Sequence, residues 1–159
     1  MDRSNTVPTA ITFIIFIVLI IGGFFLIKNT VGGNQEKTQE EAAKEIGSLP
    51  NIKVNIGGVN YTAITEVSYA AQNFISNFPL SIDMKTEESN RIQGCTYFKF
   101  NGDASRAKSV LRGDILIYGD SCVIIATENF SGSSKYKRIA HIDNLGTISV
   151  GNQTVNFSR

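Results

Sequence analysis

ILIYGDSCVIIA, residues 115–126, consists of two apolar runs, 115–118 and 122–126, divided by Gly119-Asp120-Ser121. Glycine supplies the positive φ angle of tight turns, and short Asp and Ser side chains bond to nearby backbone, so the dividing residues read as a turn. A run of four or five residues that is apolar at every position describes a strand covered on both faces. The stretch predicts a hairpin central to a β domain, its strands either buried on both faces or closing a barrel.

The flanking sequence supplies further strands at short intervals. Ile52, Val54 and Ile56 alternate with polar residues, Gly57-Gly58 intervenes, and Val59, Tyr61 and Ala63 resume the alternation, which is the pattern of a hairpin with a two-residue turn. Ser68 is placed to cap a helix in which Ala71, Phe74, Ile75 and Phe78 fall on one face, and Pro79 ends it. Leu80, Ile82 and Met84 predict a third strand, residues 85–93 a polar loop, residues 96–100 a fourth strand, and residues 101–112 an irregular segment. After the central hairpin come a small-residue loop at 130–134, a strand at 135–143 and closing strands at 148–150 and 154–157. About eight short strands with one or two short helices make the domain mainly β, and a closed or nearly closed barrel removes the exposed strand edges such a set would otherwise carry.

Residues 9–27, TAITFIIFIVLIIGGFFLI, carry no charge and predict a transmembrane helix, since about 1.5 Å of rise per residue covers roughly the 30 Å of a bilayer core. The run is longer than the apolar part of a cleaved signal peptide and is followed by Lys28, Asn29 and Thr30, so an anchor is expected. Residues 1–8 are then a polar tail, residues 28–50 an acidic linker rich in helix formers that reads as a helical stalk, and residues 51–159 one soluble domain. Arg3 and the amino terminus oppose Lys28 across the span. Lys37 and Lys44 lie farther off in acidic surroundings, and a signal anchor that exports its C-terminal part is the expected topology.

From Asn51 onward eleven Lys/Arg against nine Asp/Glu leave a net charge of +2, too weak a field to expect nucleic acid as a partner. His141 is the sole histidine, which excludes a multi-histidine metal site, and no cofactor-binding glycine loop or G-x-S-x-G elbow is present, so neither metal nor cofactor is expected. Cys95 and Cys122 lack zinc spacing; they read as two half-buried thiols, or as a pair if the compartment is oxidising. Arg112-Gly113-Asp114 spells an adhesion tripeptide but stands at the turn into a strand, where Asp114 is expected to accept backbone hydrogen bonds. By simple alternation Lys137, Ile139, His141 and Asp143 share one side of their strand and Tyr136, Arg138, Ala140 and Ile142 the other.

The segments IKVNIGGVNYTAI (52–64), FISNFPLSIDM (74–84), GDILIYGDSCVII (113–125), YKRIAHIDNLG (136–146) and TVNF (154–157), in that order, resemble the bacterial and archaeal cyclophilin-like domains, small barrels related in fold to the cyclophilin prolyl isomerases. The resemblance implies the fold. It carries over no catalytic residue, because this chain has neither the FHR-type strand nor the QGGD-type turn of true cyclophilins, and no Trp. The expectation is a membrane-anchored, non-enzymatic module that binds a peptide or small molecule. The alternative is a divergent prolyl isomerase with Arg112 or Arg138 as donor to the twisted amide. Because aromatic and arginine side chains supply most binding energy where sites exist, the candidate ligand residues are Phe100, Arg112, Tyr118, Phe130, Tyr136, Arg138 and His141.

Overall fold

A computed structural model describes residues 47–159. The tail, the apolar run at 9–27 and all but the end of the stalk lie outside the described residues; among the described residues no helix is long and apolar enough to cross a membrane. The described residues, 47–159, belong to one compact unit.

The opening hairpin pairs β1 (Ile52–Ile56) with β2 (Val59–Thr65) across Gly57-Gly58. Both glycines have positive φ, 57° and 87°, which is what a turn matching the right-handed strand twist requires. Helix α1 (Tyr69–Ser76) follows, with the Ser68 side chain accepting from the Ala71 amide at 3.2 Å. Of the face the spacing predicts, Ala71, Phe74 and Ile75 are buried together with Ala70, whereas Phe78 lies beyond the helix end at Ser76 and packs, half-buried, against the core. This is the only helix among the described residues. Next come β3 (Leu80–Glu87), β4 (Arg91–Cys95), the short β5 (Ser109–Val110), β6 (Asp114–Tyr118), β7 (Cys122–Ala126), the short β8 (Phe130–Ser131), β9 (Tyr136–His141) and β10 (Asn152–Ser158). Eight of them close an antiparallel barrel in the order β1-β10-β3-β4-β7-β6-β9-β2, while β5 and β8 pair separately.

The core has two parts, and the central hairpin lies between them. Ile115 and Ile117 of β6, with Val123 and Ile125 of β7, join Phe74, Phe100 and Phe157 inside the barrel. Leu116 of β6, with Ile124 and Ala126 of β7, faces outward and is covered by Ala107, Val110 and the half-buried Tyr118, Phe130 and Tyr136. Residues apolar at every position are thus explained by a barrel interior on one side and a loop layer on the other. All eight barrel strands and the buried residues of both clusters come from residues 52–158, so among the described residues the barrel closes within that range. Leu49, from the end of the linker, packs against the inner cluster.

Several local readings are corrected. Residues 85–93 are not a loop: β3 continues to Glu87, a tight turn places Glu88 at φ 54°, and β4 begins at Arg91. The segment is polar because Lys85 and Glu87 sit on the water-facing side of a paired strand. Residues 96–100 are not a strand, since the Thr96 hydroxyl accepts from the Phe98 amide at 3.1 Å and turns the chain locally. Residues 148–150 form no strand, and 130–134 includes the two residues of β8. Of the two readings left open for Cys95 and Cys122, the structure has the pair: they stand directly opposite each other on β4 and β7 and form a disulfide.

Candidate functional site

The alternation along β9 breaks at one place. Leu116 of β6 lies opposite Arg138, but Ile115 lies opposite Ala140, so Ile139 is an extra residue and the ladder bulges. The bulge turns both Ile139 and Ala140 into the buried side and brings Arg138 and His141, three residues apart, onto the same outer face. Simple alternation had put them on opposite sides. Directly across from His141 is Asp114, and Ile64 of β2 flanks His141 on its other edge.

Asp114 is the hub of this face. Its side chain is 2% exposed and its two oxygens are fully engaged. Oδ2 accepts from Arg138 Nη2 at 2.8 Å, from Arg138 Nε at 3.0 Å and from the Leu111 amide at 2.9 Å, and Oδ1 lies 2.8 Å from His141 Nδ1. A carboxylate accepts only, so in this contact His141 Nδ1 is the donor and the ring is held with Nε2 on its far side. Nε2 is 3.7 Å from Asp143 Oδ1. The expected backbone acceptor role of Asp114 is seen in its bond to Leu111, and its burial removes it from reach as an adhesion motif. Gly113 makes the close approach possible: its φ is +92°, and a Cβ there would stand 2.2 Å from the Ile142 carbonyl oxygen.

Glu66 completes the cluster, with Oε1 3.8 Å from Arg138 Nε. Burial pushes its carboxyl above the ordinary range and the nearby Asp114 adds to this, while Arg138 and His141 pull the other way. Half-exposed apolar side chains lie beside these polar groups, Ile64 at 54% and Leu111 at 50%. The arrangement can offer hydrogen bonds from a fixed imidazole and guanidinium next to an apolar contact. It places no serine or cysteine nucleophile in bonding distance of His141, and among the described residues no three His, Cys, Asp or Glu side chains are grouped to hold a metal ion.

The other candidates fall elsewhere. Arg112 is a clamp between loops: its guanidinium donates to the carbonyls of Thr127 at 2.5 Å, Leu145 at 3.1 Å and Gly146 at 2.8 Å, and pairs with Glu128 at 3.2 Å. Phe100 is fully buried, edge-on to Phe74 at 5.2 Å between ring centres, and offers no surface. Tyr118, Phe130 and Tyr136 do come together, at 5.4 and 5.9 Å, as the cover of the outer cluster. Arg91, which the sequence did not single out, lies 5.3 Å over the Phe130 ring and donates to the Tyr136 hydroxyl at 3.2 Å. Glu66 was missed as well, because nothing in the order of residues shows that β2 runs beside β9. A separate open groove of about 520 Å³ is lined by residues of β3, β4 and β10, among them Asp83, Gln93, Cys95 and Gln153, and contains none of the candidate residues.

A family model described as "Cyclophilin-like family" matches residues 54–158. Comparison with curated proteins and with solved structures returns no match.

Proposed function

The chain belongs to the cyclophilin-like family, and from that premise we propose that it is a non-enzymatic, membrane-tethered binding module which takes a peptide or small molecule on the face formed by Arg138, His141, Ile64 and Leu111. The observation that carries this reading is the buried Asp114 carboxylate, which locks a guanidinium and an imidazole that remain 26% and 31% exposed. Groups held in place by a buried partner lose little freedom on binding, which is how a rigid face gains affinity.

The same contacts weigh against isomerisation. A prolyl isomerase needs a donor free to reach the twisted amide. Arg112 spends its guanidinium on three backbone carbonyls and Glu128, and Arg138 has Nε and Nη2 held by Asp114 and the Ser109 carbonyl, which suits a fixed surface donor better than one that must follow a twisting amide. Residues 42–159 should leave the cis–trans rate of a proline peptide at its uncatalysed value. Catalysis that Arg138→Ala abolishes would overturn the binding-only reading. The positive arm is capture from native membranes: a species retained by the wild-type domain and released by an Arg138→Ala/His141→Ala double variant is the expected result.

Tethering is supported by the uncharged 19-residue run at 9–27, and an extracytoplasmic position by the Cys95–Cys122 disulfide, since such bonds persist in oxidising compartments. With both native cysteines paired, a cysteine introduced for the exposed Lys85 is the reporter. It should react with a membrane-impermeant thiol reagent on intact cells. Reaction only after lysis would place the domain in the cytoplasm.

A further inference from the structure

One end of the barrel carries two aromatic side chains in water on a loop that is held at both ends. The last rung of the sheet runs Cys95, Cys122, Tyr118, Tyr136 across β4, β7, β6 and β9. Beyond that rung project residues 96–99, the turn at 119–121 and residues 133–135. Tyr97 is 106% exposed and Phe98 51%. On one side of them Cys95 is fixed by the disulfide and the Thr96 amide donates to the Ser121 carbonyl at 2.9 Å. On the other, Phe100 is buried against Phe74 and its amide donates to the Asp120 carbonyl at 2.6 Å. A covalent bond and a buried ring therefore hold a loop that presents Tyr97 wholly and Phe98 by about half to solvent, where they cost apolar exposure.

The surroundings are basic. Lys99 follows the aromatic pair and Lys135 precedes Tyr136 on the same rung, both exposed, and exposed Arg106 bridges to Lys137 one rung inward. Asp120, the acidic residue of the turn at 119–121, faces Lys137 at 3.6 Å. Aromatic rings at a loop tip ringed by cations match the headgroup boundary of an anionic bilayer, where rings enter the interface and Lys and Arg meet lipid phosphates. The sequence puts a bilayer within reach if the run at 9–27 spans one: residues 28–50 are 23 residues of intervening chain, about 35 Å even if wholly helical. We infer that the Tyr97-Phe98 tip and its cations form a second membrane contact, which docks this end of the barrel onto anionic lipid and fixes how the His141 face is presented.

The experiment uses residues 42–159, which lack the apolar run, so its outcome does not depend on the anchor or on the ligand site. The fragment should co-sediment with phosphatidylcholine vesicles containing phosphatidylglycerol, less with pure phosphatidylcholine, and less again as salt is raised. Tyr97→Ser/Phe98→Ser should lower partitioning to both vesicle types by at least about tenfold without changing the melting temperature. Lys99→Glu should weaken binding to the anionic vesicles alone, by more than the roughly fivefold of one lost cation because the sign is reversed. Failure to bind anionic vesicles, or a double variant that binds like wild type, overturns the inference. So does self-association that the double variant abolishes with no vesicle binding, which would make the tip a contact between copies of the chain.

Discussion

Ile117→Asp leaves no folded domain. Ile117 is fully buried inside the barrel, beside Val123 on β7 and opposite Lys137 on β9, whose ammonium is already directed to Asp120 at 3.6 Å, so a carboxylate there is dry and meets no free cation. Losing the aliphatic contacts and burying an unpaired charge together cost more than about 5 kcal/mol. That is the lower end of the whole stability expected for a domain of this size. Ile124→Asp lies on the opposite face of the same hairpin, also fully buried, but under the loop layer of Ala107, Val110 and Phe130 and outside the barrel wall. That layer is held by the two-residue β5–β8 pair and can open locally to wet the new carboxylate. The expected result is a weakened but folded barrel, with hydrogen exchange sped up around residues 104–111 and 130–136. Circular dichroism and proton-exchange measurements on both variants decide it. If both are well folded with native exchange, the hairpin is a surface feature and the two-sided core is wrong.

The contrast shows what the sequence made legible. Burial of residues 115–118 and 122–126, the Gly57-Gly58 turn and the Ser68 cap each follow from the chemistry of a few adjacent residues and are found where that chemistry puts them, whereas the helix ends at Ser76 under an Asn77 cap, short of Phe78 and Pro79. The site was legible in part. His141, Arg138 and a turn role for Asp114 could be picked out by residue type, but their meeting depends on the Ile139 bulge, which inserts half a period into β9 and leaves no mark in composition. Arg112 and Arg138 look equivalent as letters. Only the convergence of the 127–129 and 145–146 segments on Arg112 makes it a clamp, and such convergence is a property of topology. Strand β4 was hidden because RIQGC places one aliphatic residue and one glycine on its inner side, too little to register as alternation.

Asp114→Ala tests whether that meeting holds the fold together as well as the face. The substitution strands the Arg138 guanidinium, His141 Nδ1 and the Leu111 amide at once. Removing one member of a buried ion pair costs about 3–5 kcal/mol when its partners stay dry. Arg138 and His141 are each about a quarter to a third exposed and can turn toward water, so the expected loss is about 3 kcal/mol, a fall in melting temperature of roughly 10–15 °C. Glu66→Gln should move the other way. Burial raises the Glu66 carboxyl in the folded chain above the 4.5 it has when free, so the native state holds the proton to higher pH than the unfolded state does. The stabilisation this brings is complete below pH 4.5 and disappears as pH rises through the folded value, which leaves an ionised, partly dry carboxylate at pH 7. Glutamine removes that charge, so the variant should melt higher than wild type at pH 7 and the gap should close as pH falls below 4.5. Thermal melts of both variants across that range are the check. An Asp114→Ala change smaller than about 1 kcal/mol would mean the face is held by packing alone. A Glu66→Gln variant that melts lower at pH 7 would mean that attraction to Arg138 outweighs burial, and that Glu66 belongs with Asp114 as a holder of the guanidinium.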